Sequence, residues 1–237
     1  MGENPPPRAR FFFGHQSVGG NLLAGLQDLA KERTVPTVQE LQQPTEPAAA
    51  SATLLHACLG RNHEPQTKLS ELTRWLDAGL ARSIDYAMLK FCYVDITSME
   101  QARSLHAAYI DAMARIRETH PKLRLAHCSV PLRVLPSGPY ALARRLLGHR
   151  LAEIERNRAR EWYNDRLRQD ARCAPLFDIA LIESTRPNGG RITQKDGQDR
   201  VAYLASEYTY DGGHLNNRGR RIAAAAFLDF LTALDSH

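Results

Sequence analysis

The amino-acid sequence predicts an α/β protein, a three-layer α/β/α sandwich with about five parallel strands. Two patterns predict it. Short apolar runs alternate with longer amphipathic stretches from about Phe11 to Leu234. No two of these runs show hairpin-like spacing, so the strands are expected to be parallel, with helices covering both faces of the sheet. A third observation says where function would sit. Polar, glycine-bearing turns follow apolar runs at Gly14–Gly19 and Gly60–Pro65, and another precedes the closing helix at Asp211–Asn216. Right-handed crossovers put such turns on one rim of the sheet, outside the carboxyl ends of the strands, where ligands bind.

Taken in order, Arg10–Gly14 is the expected first strand, and Gly20 to Lys31 carries Leu22, Leu23, Leu26 and Leu29 at helical spacing. Val35–Leu41 reads as a second strand, and Gln42–Ala52, rich in Pro, Ala and Thr, as a loop. Beyond the Gly60 turn, Leu69, Leu72, Trp75, Leu76 and Leu80 mark an amphipathic helix. Tyr86–Ile96 is the best candidate for a central buried strand, although Lys90 is awkward there. Ser98 is placed to cap a helix carrying Ala102, Leu105, Tyr109, Ala112, Met113 and Ile116. Leu123–Val130 is a further strand, stopped by Pro131, and Pro136-Ser137-Gly138-Pro139 marks a break. An interrupted helical stretch covers about Ala141 to Gln169, Leu176–Ile182 is the last strand, Arg186–Asp199 a polar loop, and Asn217 to Leu234 the closing helix. No repeat or linker divides the chain, so 1–237 is expected to be one domain, with 1–9 a flexible polar lead.

Composition narrows the class. The chain has 237 residues, 43% of them hydrophobic and 24% charged, the balance of a globular protein. A core of this size buries about 70–75% of the unfolded surface without a covalent staple. No run approaches the ~20 apolar residues of a membrane span. Met1 to Arg10 lacks the apolar stretch of a signal peptide. The compartment stays open, cytoplasmic or exported, and so does the oligomeric state. The net charge is +5, and many arginines lie between Arg144 and Arg172. Glu153, Glu155, Glu161, Asp165 and Asp170 are interspersed there, so the stretch reads as a solvated helix of mixed sign and no nucleic-acid partner is expected. Cys58, Cys92, Cys128 and Cys173 are widely spaced, without C-x-x-C. Cys92 and Cys128 fall in apolar runs, where cysteine acts as a small buried hydrophobe; a Cys58–Cys173 disulfide is left open. His15, His63, Asp95 and His214 lack the paired helical spacing of H-E-x-x-H, so no metal or other cofactor is expected.

The candidate chemistry lies in Ser17, Asp211 and His214. A serine hydroxyl is a weak nucleophile at neutral pH and needs a base within about 2.6–3.2 Å, itself oriented by a third group. Asp211 and His214 stand three apart on one loop, which lets the carboxylate face Nδ1 and leaves Nε2 for the serine. Each element also has a plainer reading. A hydroxyl before a helix is commonly an N-cap contributing about 1 kcal/mol, and Asp-x-x-His also suits a turn followed by a helix cap.

Tyr210-Asp211-Gly212-Gly213-His214-Leu215-Asn216-Asn217-Arg218-Gly219 resembles the last motif of the SGNH (GDSL-like) hydrolase family, Leu59-Gly60-Arg61-Asn62 resembles its glycine turn, and Asn164 the asparagine of the helix before the last strand. The resemblance runs from about Phe11 to Leu234 and implies a flavodoxin-like sheet and an ester-cleaving enzyme: an esterase, lipase or carbohydrate deacetylase acting on a small-molecule or carbohydrate ester. It also admits an O-acyltransferase, or a ligand-binding module on the same fold. Ser17 would be the nucleophile, His214 the base and Asp211 its partner. Two departures stand out. The family's Gly-Asp-Ser is His15-Gln16-Ser17 here, and its Gly-x-Asn-Asp is Cys92-Tyr93-Val94-Asp95. Val94 has no donor to offer an oxyanion, a loss that typically costs about 10²–10³ in rate. Gly60 supplies a backbone N–H, and Asn62 is the candidate to replace the missing side-chain donor. Asp95 is expected to hold its loop by accepting backbone N–H groups. His15 is expected either to orient the serine turn or contact substrate, or to be a polar strand end.

Overall fold

The computed structural model describes residues 9–45, 53–139, 147, 151–196 and 199–236. The expected polar lead over 1–8, most of the loop expected at 42–52 and the start of the helical stretch expected at 141–150 lie outside the described residues. The elements are β1 (Phe11–His15), α1 (Val18–Leu29), β2 (Val38–Glu40), β3 (Leu54–Cys58), α2 (Pro65–Asp77), β4 (Tyr86–Leu89), α3 (Met99–Thr119), β5 (Arg124–Cys128), α4 (Ala152–Gln169), β6 (Leu176–Phe177), α5 (Ile179–Glu183), β7 (Thr193–Asp196), β8 (Asp199–Ala202) and α6 (Asn217–Asp235), with short 3-10 turns between some of them. Six strands form one sheet in the order β2-β3-β1-β4-β5-β6. Every pairing in it is parallel, as the α/β pattern requires.

Central β1 shows why both faces are covered. Phe12 packs into the layer formed by α2, α3 and α4, with its ring centroid 5.7 Å from Trp75. Phe11 and Phe13 point the other way, toward α1 and α6, and Phe13 lies 5.3 Å from Phe227. A strand apolar on both faces is what a buried parallel sheet demands. Helix starts follow local chemistry. Pro65 opens α2, Ser98 accepts the Gln101 N–H at the start of α3, and Asn216 accepts the Gly219 N–H at the start of α6.

Several elements differ from expectation. The sheet has a sixth strand, β3, at Leu54–Cys58. The run Tyr86–Ile96 is a strand only to Leu89; beyond it the chain turns, and Tyr93–Asp95 is a 3-10 turn. Asp95 accepts the Cys92 N–H there, 2.7 Å away, and so closes the turn. Leu176–Ile182 splits into the two-residue β6 and the helix α5, because Asp178 caps the helix through the Leu181 N–H at 3.1 Å. The polar loop at Arg186–Asp199 contains one arm of an antiparallel hairpin, β7–β8. The mixed-charge helix is not simply solvated, since Asn157, Arg160, Glu161 and Asn164 on α4 are buried. All four cysteines are free, so Cys58 and Cys173 are not paired, and Cys92 and Cys128 are buried. No helix among the described residues is long and apolar enough to cross a membrane.

Helices α1 and α6 come into close contact at Gly25. A Cβ placed there would lie 2.6 Å from the Ala224 Cβ and 2.6 Å from the Arg220 carbonyl oxygen. Gly25→Val therefore drives the two helices apart. The expected result is a loss of about 1–3 kcal/mol, seen as a lower urea midpoint with an unchanged slope; an unaltered midpoint contradicts the packing described.

Candidate active site

Ser17 occupies the turn between β1 and α1 with φ 51 and ψ −108. That left-handed backbone is costly for a residue with a side chain, on the order of 1–3 kcal/mol. Although Ser17 stands at the N-cap position of α1, its side chain makes no cap bond. The hydroxyl is used elsewhere: Oγ lies 2.6 Å from His214 Nε2. On the far side of the ring, Nδ1 lies 2.6 Å from Asp211 Oδ2. A carboxylate at Nδ1 places the imidazole proton there and leaves Nε2 as the acceptor for the serine hydroxyl.

The Asp211–His214 loop is tied down by its own backbone. Asp211 Oδ1 accepts the N–H groups of Gly213 at 2.9 Å and His214 at 2.7 Å. Burial pushes the Asp211 carboxyl up, but the hydrogen bonds from the His214 ring and from the two N–H groups outweigh it and hold it at about 2. Thr209 Oγ1 donates to the His214 carbonyl at 2.5 Å, and Asn21 Oδ1 accepts the Leu215 N–H at 3.1 Å. That last bond fastens the loop directly to α1. Two tyrosines wall the imidazole. Tyr93 presents its edge at 5.8 Å, and Tyr210, 70% exposed, stacks at 6.1 Å with an interplanar angle of 14°. Only glycine fits at 213, where a Cβ would fall 2.8 Å from Tyr93 Cζ.

The second turn packs beside the first. Gln16 Nε2 donates to the Gly60 carbonyl at 2.9 Å, and Leu59 N–H donates to the His15 carbonyl at 3.1 Å. The Gly60 N–H donates to Glu71 Oε2 at 2.8 Å, so this expected oxyanion donor has an acceptor already. Asn62 Oδ1 accepts Lys68 Nζ at 3.0 Å, which turns its amide NH2 away from the lysine. Asp95 joins the second and third turns: Oδ2 accepts Lys68 Nζ at 2.5 Å and the Cys92 N–H at 2.7 Å, and Oδ1 accepts the His63 N–H at 3.0 Å. Val94 packs against the apolar cluster around α6.

His15 lies apart from these groups. It is buried under α1, stacked on Phe13 at 4.9 Å, with Nε2 3.2 Å from His56 Nδ1. Burial, then the neighbouring His56 and Lys90, push it down to about 3, which keeps it neutral. The structure thus brings Ser17, His214 and Asp211 into one line and sets Gly60, Asn62 and Asp95 in a neighbouring network. Asn164 is a clasp in the interior: Oδ1 accepts the Val130 N–H at 2.7 Å and Nδ2 donates to the Val130 carbonyl at 2.9 Å.

Sequence reasoning passed over Lys68, Asn157, Arg160 and Glu183, all buried. Lys68 had a visible signal, since it falls four residues before Leu72 on the apolar face of α2. The partners of the others are remote in sequence and carry no local pattern.

Comparison with known proteins agrees with the fold. No protein-family model matches the chain, and no curated protein matches it. Among solved structures, a Streptococcus pneumonia protein described as a platelet activating factor aligns with a TM-score of 0.52 and 17% identity, over 98% of this chain and 85% of that one. A Clostridium thermocellum family 3 carbohydrate esterase aligns at 0.47 and 15%, over 96% and 98%. An M. smegmatis aryl esterase aligns at 0.45 and 14%, over 95% and 99%. The likeness lies in the α/β fold, a parallel six-stranded sheet flanked by helices, which the chain shares with the first of these structures.

Glu183 makes the region beneath the site pH-sensitive. Its Oε1 accepts the Leu132 N–H, and burial pushes the carboxyl from 4.5 up to about 8, against the smaller opposing effects of that bond and of Lys90. The folded protein therefore keeps a proton that the unfolded chain releases. Stability contributed by this group is complete below about 4.5 and is lost as pH rises toward about 8, with a limiting slope of about 1.4 kcal/mol per pH unit. Glu183→Gln keeps an oxygen for the Leu132 N–H and does not titrate. Urea midpoints of the two proteins should diverge across that window, with the wild type falling relative to the variant. Parallel pH profiles remove Glu183 as the titrating group.

Proposed function

We propose that the protein is a serine esterase that cleaves a small-molecule or carbohydrate ester through an acyl-serine intermediate. One observation carries this reading: Ser17 Oγ, the His214 ring and the Asp211 carboxylate are joined by two contacts of 2.6 Å each, the order of groups that general-base catalysis requires. Ser17 attacks the ester carbonyl as His214 Nε2 takes its proton. Asp211 keeps the ring oriented and stabilises the imidazolium. Collapse of the tetrahedral intermediate expels the alcohol, which leaves with the proton from His214. Water, deprotonated by the same nitrogen, then attacks the acyl-serine and restores the hydroxyl while the acid departs.

The oxyanion needs donors. On this reading they are the Ser17 N–H and the amide NH2 of Asn62, whose orientation follows from Lys68 holding its oxygen. The Gly60 N–H joins them only if Glu71 gives it up. Asn62 then does the work that Val94 cannot. The alternative in which an alcohol resolves the acyl-serine uses the same groups, and the products tell the two apart.

Ser17→Ala and His214→Asn should each abolish turnover of 4-nitrophenyl acetate while leaving the thermal transition in place. A fluorophosphonate probe should label wild-type Ser17 and not the alanine variant. Full activity in folded Ser17→Ala, or no labelling where a control hydrolase reacts, rejects the assignment. Asn62→Ala should lower kcat by about 10²–10³ with little change in KM; an unaffected kcat assigns the oxyanion to other donors.

A further inference from the structure

The acid–base loop is held by more than its own hydrogen bonds. Its outer wall is the irregular segment Val130–Val134, which belongs to none of the strands or helices. Buried backbone groups outside regular structure must find partners elsewhere, and here side chains supply most of them. Asn164 clasps the N–H and carbonyl of Val130, and Glu183 accepts the Leu132 N–H. Asn157 accepts the Arg133 N–H at 3.1 Å and donates to its carbonyl at 2.7 Å. The wall then holds the loop: Val134 N–H donates to the Gly212 carbonyl at 3.1 Å, and Arg133 Nη2 to the Asp211 carbonyl at 3.2 Å.

One buried side chain reaches this wall and also the turn beyond β4. Arg160, on α4, is 1% exposed. Its Nη1 donates to Asn157 Oδ1 at 2.6 Å and to Glu153 Oε1 at 2.5 Å. Its Nε donates to the Tyr93 carbonyl at 2.8 Å, and Tyr93 is the residue whose ring edges against His214 and fills the space over Gly213. Two routes therefore run from a single guanidinium to the imidazole, and they meet where the Arg133 guanidinium lies 5.1 Å from the Tyr93 ring centroid. One passes through Asn157, the Arg133 backbone and the Arg133 guanidinium to the Asp211 carbonyl, the other through the Tyr93 ring. A guanidinium donates from several nitrogens held in one plane, so it meets acceptors at separate places, whereas an ammonium donates from a single nitrogen.

We propose that Arg160 is a positioning residue, which sets the register of His214 and Asp211 against Ser17 by fixing Asn157 and Tyr93 at the same time. The inference rests on the esterase reading for its kinetic form, but its geometry is independent of turnover. It predicts that loosening Arg160 damages catalysis more than binding, because a displacement of about 1 Å at the base costs about 10²-fold in rate.

The test compares Arg160→Met and Arg160→Lys with Leu167→Ala, a core substitution on the same helix that touches neither route. In each protein, kcat and KM for 4-nitrophenyl acetate are measured alongside the melting temperature. The ¹H resonance of His214 Nδ1 is recorded in a Ser17→Ala background. Arg160→Met should lower kcat by about 10- to 100-fold with KM nearly unchanged, and its Nδ1 proton should broaden or move upfield. Arg160→Lys should restore only part of kcat, since one nitrogen replaces the two, Nε and Nη1, that bond Tyr93 and Asn157. Leu167→Ala should lower the melting temperature and leave kcat and the resonance as in the wild type. Wild-type kcat with an unshifted resonance in either folded Arg160 variant overturns the inference, and so does an equal kcat loss in Leu167→Ala. Should Arg160→Met fail to fold, Arg160→Lys alone decides. Should the wild type show no Ser17-dependent turnover, the esterase reading falls, and the Nδ1 resonance still decides the role of Arg160.

Discussion

The contact between Ser17 and His214 depends on how closely two helices approach. α1 starts just after the serine and α6 just after the histidine, so the gap between those side chains is set by the packing of the helices that follow them. Gly25 and Ala224 meet where nothing larger fits, and Asn21 on α1 bonds the backbone just after His214. Residues 197 positions apart are thereby brought to 2.6 Å. A parallel sheet makes this arrangement natural: each crossover returns the chain to the same rim, and β1, at the centre, carries its turn to the middle of it.

Rim turns face a difficulty that strands do not. Their backbone groups are partly buried yet have no ladder to join. This protein answers with long polar side chains sent up from the helices. Lys68 from α2 meets Asp95 with both side chains fully buried, and α4 contributes Asn157, Arg160 and Asn164. Such groups add little net stability, because desolvation offsets most of their attraction. Their contribution is definition: each has one arrangement that satisfies its donors and acceptors, and the turns inherit it.

Much of this was legible in the chain. The alternation of apolar runs is enough for the sheet and its covering helices, and the Asp211–His214 spacing marks the loop on which carboxylate and imidazole meet. The misses have physical causes. β3 is five residues interrupted by His56, too short and mixed for a period to emerge. Tyr86–Ile96 reads as one strand because apolar content alone does not reveal that Asp95 turns back to bond Cys92. Leu176–Ile182 is apolar throughout, and only the capping geometry of Asp178 divides it into strand and helix. The charges of α4 look solvated because alternating signs usually are; Arg160 is inside because Tyr93, Asn157 and Glu153 converge on it, and that convergence exists only once the chain is folded.

On the proposed mechanism, Val94 bears on electrostatics as well as on donor count. The adjoining Asp95 is a carboxylate at the same turn, and on the proposed mechanism negative charge develops on an oxygen nearby. Two like charges about 6 Å apart repel by roughly 3 kcal/mol at an effective dielectric of about 20, enough to cancel a good hydrogen bond, so an unpaired carboxylate at this turn would oppose the reaction. Lys68 removes the opposition by pairing with Asp95 at 2.5 Å, and the same ammonium takes the oxygen of Asn62 and leaves its NH2 for the substrate. A single lysine on α2 thus neutralises the wrong charge and aims a donor of the right kind. On the proposed mechanism, the donor that Val94 lacks and the cation that Lys68 supplies are complementary parts of one site.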